Sequence, residues 1–156
     1  IDTRLSKIPA GGAIVMAVAA LQILDLTDRV ADLLPVSPFV PAVGQGCVAV
    51  EVRETDDDAR ALVGAIDDDE TRRAVAVERS YLAELGSGCS LPVGAHVADR
   101  ELLTFLADPS SGRVHHERVP LTDRLDDDLA AARDAAQRAR RRVHGGGDDV
   151  DGGGAG

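Results

Sequence analysis

Residues 69–98, DETRRAVAVERSYLAELGSGCSLPVGAHVA, decide how the C-terminal part of this chain folds. The spacing of apolar residues predicts a helix over about 69–85, and the glycines at 86 and 88 end it. The stretch LPVGAHVAD (91–99) then predicts a strand. Cys89 therefore lies between a helix and a strand. The predicted apolar face of the helix consists of Ala74, Val77, Tyr81, Leu82 and Leu85.

Two more strands and a helix follow this stretch. ELLTFLAD (101–108) and GRVHHERVPL (112–121) read as strands, with turn signals between them and before the first. The last helix is predicted over about 121–143, because acidic residues open it and arginines close it. The C-terminal part is thus expected to be a small α+β unit with a three-stranded antiparallel sheet and helices, followed by a disordered, glycine-rich tail over 144–156.

The N-terminal part reads as α/β. AIVMAV (13–18) is an apolar run typical of a strand buried on both faces, and a short helix is expected after it. A second helix is predicted over 26–34, with Thr27 as its N-cap and Pro35 as its stop. The proline-rich residues 35–41 predict an extended crossover. CVAVEVR (47–53) then predicts a strand, and TDDDARALVGAI (55–66) a helix with acids in its first turn.

The composition excludes some partners. The chain has 156 residues and a net charge of -10, which disfavours binding to a nucleic-acid phosphate backbone. Aromatic residues make up 2%, so the core must be built from Val, Leu, Ile and Ala. Lys7 is the only lysine among 17 basic residues, and Asp occurs in runs. This pattern is typical of a salt-adapted protein, although a high-GC genome produces a similar composition.

No membrane partner is expected. The most apolar run, AIVMAVAALQIL (13–24), has 12 residues, fewer than the ~20 that a membrane helix needs. The opening IDTRLSK lacks the features of a secretory signal. A cytoplasmic location with reduced cysteines is therefore expected.

Few residues suggest chemistry by their pattern alone. The sequence has no Gly-rich phosphate loop and no C-x-x-C pair. His115 and His116 are neighbours on a predicted strand, so their side chains point to opposite faces and cannot share a metal; no metal site is predicted. His96 and His144 are isolated. Cys47 lies within a predicted strand, which favours a packing role.

Two residues each leave two interpretations open. Cys89 follows glycines that allow close backbone approach, so its thiolate could act as nucleophile or covalent anchor. It could equally be a small buried cysteine at a turn. Arg4 precedes the first predicted strand, where its planar guanidinium could bind a carboxylate or could be a solvated surface group.

Four segments together resemble a known family. DTRLSK (2–7), AIVMAVAAL (13–21), VPAVGQGCVAVEVR (40–53) and AVERSYLAELGSGCSLPVGAHV (76–97) resemble, in this order, the C-terminal half of porphobilinogen deaminase, also called hydroxymethylbilane synthase. The resemblance covers about residues 1–120. It implies the end of a periplasmic-binding-protein-like second domain over 1–40, and a crossover and return strand to the first domain over 41–54. It further implies a cofactor-bearing C-terminal domain over 55–143, before the tail.

The resemblance also implies an activity. The family is a transferase that joins four porphobilinogen units head to tail with loss of ammonia, giving hydroxymethylbilane for tetrapyrrole and haem biosynthesis. The chain grows on a dipyrromethane cofactor, whose thioether bond would be made by Cys89. Arg4, Thr3 and Gln45 match positions in or near the cleft that holds the carboxylates of the substrate and the growing polypyrrole. Glu78 and Arg79 match a charged pair of structural type.

The resemblance further implies that the chain is a fragment. The catalytic aspartate of the family would lie in the missing N-terminal half, so no catalytic residue is assigned here, and the fragment alone is expected to be inactive. The full-length parent is expected to be a monomer.

Two positions depart from the family pattern. Ile23 stands where the family has an arginine, and Ala20 replaces a glycine. Two other interpretations therefore stay open: a tetrapyrrole- or metal-binding module that uses Cys89 without catalysis, and a degenerate remnant.

Overall fold

The computed structural model describes residues 1–86 and 92–145, which form two compact units. The first unit is Ile1–Pro35, and the second begins at Val36. A 3-10 turn over Thr27–Arg29 belongs to the first unit. In chain order the elements are α1 (Asp2–Leu5), α2 (Val18–Ile23), α3 (Asp57–Gly64), α4 (Asp69–Leu85), β1 (Val93–Ala98), β2 (Glu101–Asp108), β3 (Arg113–Pro120) and α5 (Leu125–His144).

The second unit contains the predicted three-stranded antiparallel sheet, in the order β1-β2-β3. Thr104 in the central strand lies opposite Ala95 on one side and Glu117 on the other. The first turn places Asp99 and Arg100 at φ values of 50° and 61°, the left-handed geometry of a tight two-residue hairpin. The sheet and both turn positions predicted from the sequence are confirmed.

Helices α4 and α5 pack together against one face of this sheet. Tyr81 from α4, Leu102 and Leu106 from β2 and Val143 from α5 are fully buried there. The α5 face consists largely of alanines, whose small side chains let the two helices approach closely: Ala132, Ala135, Ala136 and Ala139. The aliphatic core expected from the composition is therefore present, with Tyr81 as its single large aromatic residue.

Acidic residues begin these helices, as predicted. Asp56 caps α3 by accepting from the backbone N–H of Ala59 at 3.0 Å. Asp68 caps α4 in the same way, accepting from Thr71 at 2.7 Å. This hydrogen bond lowers the pKa of the Asp68 carboxyl. Helix α5 has acids in its first turn and arginines in its last turn, and it begins four residues later than predicted.

Three predictions for residues before α3 were wrong. Residues 13–17 and 47–53 are not strands, and the helix predicted over 26–34 is only the 3-10 turn at Thr27–Arg29, which Leu26 rather than Thr27 precedes as N-cap. A strand exists only where its N–H and C=O groups pair with a neighbour, and no described segment pairs with either run. Accordingly Val15 is 80% exposed and Val48 is 86% exposed.

Two further predictions concern the short helix after residue 18 and the segment 35–41. The short helix predicted after residue 18 is confirmed as α2. Residues 35–41 contain no helix or strand, as predicted, but they turn and bend at 36–39 instead of running extended. No helix in the described ranges 1–86 and 92–145 is long and apolar enough to cross a membrane. The predicted disordered tail lies, from residue 146 onward, outside the described residues.

Candidate functional site

Cys89, the predicted cofactor anchor, lies outside the described residues, but both flanks of its segment are described. On one side α4 ends at Leu85, and Gly86 follows with φ 85°, a conformation that favours glycine. The guanidinium of Arg140 on α5 donates a 2.5 Å hydrogen bond to the carbonyl of Leu85. On the other side the carbonyl of Pro92 accepts from Ala107 at 3.0 Å. The flanks of the cysteine segment are therefore attached to α5 and β2.

Thr3 and Arg4 lie together on the short helix α1 in the first unit. Both residues are exposed. Arg4 is in the last turn of α1, and its backbone N–H donates to the carbonyl of Ile1 at 2.8 Å. An exposed guanidinium on a helical turn can bind a carboxylate by donating two parallel hydrogen bonds to it.

Gln45 lies at the exposed tip of a tight double turn in the second unit. Its backbone N–H donates to Ala42 at 3.0 Å, and that of Cys47 donates to Gly44 at 3.1 Å. Gly44 and Gly46 have φ values of 71° and 88°, which only glycine adopts without strain. We call residues 42–47 the GQG turn. The glycines on either side of Gln45 thus serve to present one amide side chain to solvent.

Glu78 holds the GQG turn, a role that was not predicted from the sequence. Its side chain is 4% exposed. One carboxylate oxygen accepts from the N–H of Gly44 at 2.7 Å, and the other accepts from the N–H of Val97 in β1 at 2.9 Å. Nδ1 of His96 lies 3.5 Å from the second oxygen. The carboxylate therefore joins α4, β1 and the turn.

The apolar face predicted for α4 needs one correction. Val77, Tyr81 and Leu85 are buried, but Leu82 is 37% exposed. Glu78, which was not predicted to belong to this face, is buried. Glu78 lies four residues after Ala74 and three before Tyr81, so it shares their face. An acid within an apolar stripe was the signal in the sequence for a buried carboxylate with partners. Arg79, predicted to pair with it structurally, is exposed.

The residues just before the GQG turn run along the sheet. The carbonyl of Pro41 accepts from the N–H of Ala95 at 3.0 Å. Gly94 lies so close that an added Cβ would be 2.6 Å from the carbonyl oxygen of Val40. Gly94 is therefore required for this close approach of two backbones.

The remaining titratable residues form local pairs. Glu117 on β3 accepts from Arg138 on α5 at 2.9 Å and lies 3.3 Å from Nε2 of His115. Burial acts to raise the pKa of Glu117, but the hydrogen bonds from Arg138 and His115 outweigh it, so the pKa is lowered. His116 contacts the ring of Phe105, with centroids 4.9 Å apart. His144 lies 3.9 Å from Asp108.

The structure places Cys47 differently from the prediction. Cys47 is an exposed free thiol rather than a packed strand residue, because the strand predicted around it is not formed. Among residues 1–86 and 92–145 no group of three or more His, Cys, Asp or Glu side chains could hold a metal ion.

The described fold places the second unit in the class of small α+β domains in which helices cover one face of an antiparallel sheet. Comparison with known proteins shows which family the chain is similar to. The family model for porphobilinogen deaminase, dipyromethane cofactor binding domain, matches residues 1–61. This match ends before α4 and does not reach Cys89.

Individual relatives match more of the chain. A porphobilinogen deaminase of Nitrobacter hamburgensis is 40% identical over 148 residues, covering 92% of this chain and 46% of the relative. One of Roseiflexus sp. is 42% identical over 107 residues, covering 66% and 35%. One of Mycobacterium leprae is 47% identical over 97 residues, covering 61% and 31%.

The chain is thus a relative of the porphobilinogen deaminases, and the resemblance predicted from the sequence is confirmed. It spans less than half the length of these relatives, which is consistent with a C-terminal portion.

The cofactor expected from the resemblance is the group for which the matched family domain is named. Taken one at a time, three side chains have functional groups of the kind that such a cofactor needs. Arg4 offers an exposed guanidinium and Gln45 an exposed amide, both suited to carboxylates. Cys89 supplies a thiol, the side chain that can form a thioether.

Proposed function

We propose that this chain is the C-terminal portion of a hydroxymethylbilane synthase, a transferase that joins four porphobilinogen units head to tail with loss of ammonia. The observation that carries the proposal is the 40% identity to a named porphobilinogen deaminase across 92% of the chain. In this proposal residues 1–40 complete a periplasmic-binding-protein-like domain, and residues 41–54 return to the first domain. Residues 55–143 form the domain that bears the cofactor in a cytoplasmic enzyme.

Cys89 is the proposed covalent anchor. Its sulfur would form a thioether to a dipyrromethane, which when bound supplies the free pyrrole carbon from which the product grows. The segment begins beside Gly86 and ends where Pro92 joins the sheet, so both flanks rest on the packed helix–sheet unit.

Arg4, Thr3 and Gln45 are the proposed carboxylate ligands. Pyrrole substrates with acetate and propionate groups carry several negative charges, and a guanidinium or an amide binds each through directed N–H groups. All three residues are exposed and can therefore reach a ligand. The remaining ligands and the catalytic aspartate would come from the N-terminal half, so this portion alone is expected to be inactive.

One observation keeps a second function open. Ile23, in the position of a family arginine, is 84% exposed at the end of α2. An apolar side chain cannot replace the lost cationic contact. A non-catalytic tetrapyrrole-binding module or a degenerate remnant would tolerate this change.

The test uses the parent protein, meaning the complete polypeptide that contains this chain, purified from cells that make tetrapyrroles. Intact mass and peptide mapping would show a dipyrromethane on the peptide that contains Cys89, and porphobilinogen would be consumed. Cys89→Ser should abolish the added mass. The matched control is Cys47→Ser, which changes the other, exposed cysteine and should leave loading intact.

Two results would count against the proposal. An unmodified Cys89 in the parent protein would favour the remnant. A loaded protein that consumes no porphobilinogen would favour the binding module.

A further inference from the structure

We propose that Glu78 is a positioning residue that acts through Gln45: its buried carboxylate fixes the GQG turn on the domain formed by α4 and β1. The inference rests on the proposed function, because Gln45 matters only if its amide contacts substrate or cofactor. It adds a residue outside the carboxylate ligands to the machinery of the site.

The geometry gives Glu78 one contact in each of two separate segments. Oε2 accepts from Gly44 in the turn at 2.7 Å, and Oε1 accepts from Val97 in β1 at 2.9 Å. Helix α4 itself carries the carboxylate. The carboxylate therefore links Gly44 of the turn to Val97 of the sheet, and Gln45 follows Gly44 directly.

The chemistry of the contact requires a carboxylate. Both partners are N–H donors, so each oxygen must accept. A glutamine of the same shape would offer one oxygen to one donor and turn its NH₂ group toward the other. A buried N–H left without an acceptor is costly, and hydrogen bonds to a charged group are stronger than neutral ones. With 4% exposure, Glu78 cannot exchange these partners for bulk water.

Gln45 depends on this contact because the rest of its surroundings hold it weakly. The chain is exposed from Gln45, within the GQG turn, through Val50 beyond it. Residues 47–53 pair with no described strand. Before the turn, the backbone is attached to the sheet by the bond from Ala95 to Pro41. Within the turn, Val43 is partly buried against the core of the helix–sheet unit, and Glu78 accepts the hydrogen bond from Gly44. Loss of that carboxylate would leave Gln45 two residues beyond the packed side chain of Val43, with the Gly44 N–H no longer bound to α4.

The key variant is Glu78→Gln in the parent protein, with Glu84→Gln as the matched control. Glu84 lies on the same helix, and its carboxylate contacts only the side chain of Gln137, at 3.0 Å, among the contacts found in the described residues. Both variants remove one charge from α4. Only the first removes one of the two acceptor oxygens that Gly44 and Val97 use.

The first measurement is local and independent of activity. Hydrogen exchange of at least one of the two amides, Gly44 or Val97, should become at least about tenfold faster in Glu78→Gln, and both should stay unchanged in Glu84→Gln. The amide of Ala59, which donates to Asp56 in the cap of α3, should not respond in either variant. Unchanged exchange at both Gly44 and Val97 would overturn the structural part of the inference.

The second measurement separates positioning from general stability. Glu78→Gln should lower kcat/KM for porphobilinogen about tenfold at a temperature where the variant stays folded. Gln45→Ala should cause a similar loss, and the double variant should lose no more than Gln45→Ala alone, because Glu78 acts through Gln45. Losses that multiply in the double variant would overturn the inference.

The two proposals fail in different ways. If the wild-type parent carries no dipyrromethane and consumes no porphobilinogen, the proposed function fails, whatever the exchange at Gly44. If the wild type is active and Glu78→Gln keeps full activity, only the role of Glu78 fails.

Discussion

Arg73 on α4 donates a 2.5 Å hydrogen bond to Oδ2 of Asp128 on α5, a carboxylate that is 1% exposed. The other oxygen of Asp128 accepts from both the backbone N–H and the hydroxyl of Thr122, at 2.7 and 3.0 Å. Arg73 also donates to the carbonyl of Thr122 at 3.1 Å. These hydrogen bonds among Arg73, Asp128 and Thr122 join the start of α4 to the start of α5. They also give partners to the backbone N–H and C=O of Thr122, in the loop between the sheet and α5.

Replacing Asp128 should be costly. Asp128→Ala leaves the Arg73 guanidinium and the Thr122 N–H without their buried acceptor, and we expect the free energy of unfolding to fall by about 3 kcal/mol. Native-state hydrogen exchange of the buried amides of α4 and α5 in the parent protein measures this loss. Asp127→Ala is the control: its partner Arg124 is exposed, so it should cost less than about 1 kcal/mol. Equal effects would contradict the structural assignment.

Gly94 should not tolerate a side chain. In Gly94→Ala the new Cβ would lie 2.6 Å from the carbonyl oxygen of Val40 and 2.9 Å from that of Pro41, so the backbones must separate. We expect a loss of about 1–3 kcal/mol and faster hydrogen exchange at the Ala95 amide. Gly64→Ala is the control, because no atom lies within 4 Å of the added Cβ and alanine favours the helix. Protection of Ala95 at the wild-type level would show that the segment does not lie against β1.

Asp108 should titrate far below an ordinary aspartate. The hydroxyl of Ser110 and then its backbone N–H, at 2.6 and 2.8 Å, lower the pKa of Asp108 to about 2. Because the folded pKa lies below the ordinary value of 3.8, the ionised carboxylate stabilises the fold above that value. This contribution is lost as pH falls toward 2. NMR titration of the carboxyl carbon measures the pKa.

Ser110→Ala should raise the pKa of Asp108 toward 3.8. A smaller rise is expected for His144→Gln, since His144 is 3.9 Å away. A larger effect of the histidine would show that charge rather than hydrogen bonding sets the pKa.

Tyr81 should resist ionisation until strongly alkaline pH. Burial raises the pKa of its phenol to about 12, from an ordinary value of 10.0. The unfolded chain then releases this proton first, so stability should fall as pH rises from about 10 to 12. NMR of the ring carbons of Tyr81 in the parent protein follows the titration, and the parent protein in concentrated urea gives the unfolded reference. A native-state transition near 10.0 would show that Tyr81 is accessible to solvent.

The 156-residue chain should self-associate or be partly unfolded without the rest of its parent protein. Val15, Val48 and Val50 are exposed apolar residues in segments without regular structure, and Ile23 is exposed at the end of α2. Exposed apolar surface of this kind tends to associate with other chains. We expect self-association or partial unfolding of the isolated chain by light scattering and dye binding, while the parent protein serves as the soluble control. A monomer with one sharp cooperative unfolding transition would contradict this expectation.

The parts of the fold that were predicted well are those whose signals are local. Helix α4 carries its cap at Asp68, its apolar stripe and its terminal Gly86 within one stretch. The sheet is a meander in which each strand pairs with the next through a short turn. The strands predicted at 13–18 and 47–53 failed because a pattern of apolar residues states only that a segment can be buried, and a strand also needs a neighbour.

The site was predicted less completely than the fold. The resemblance of the sequence to the porphobilinogen deaminase family predicted Cys89, Arg4, Thr3 and Gln45 as site residues. It did not predict that Glu78 would reach back 34 residues to the N–H of Gly44. Nor did it predict that Asp128 would satisfy Thr122 and Arg73 together. Contacts of this kind join distant segments, and no periodicity or spacing encodes them.

The sequence by itself determined the helices α4 and α5, the three-strand order and the membership of the chain among relatives of porphobilinogen deaminase. Helix caps, turn residues and hydrophobic spacing act over a few residues, so they can be read along the chain. Tertiary structure alone decided which polar groups are buried and what satisfies them. Glu78 and Asp128 have acidic neighbours of the same type on the same helices that remain in water. The difference lies in the backbone N–H groups that packing brings to each carboxylate.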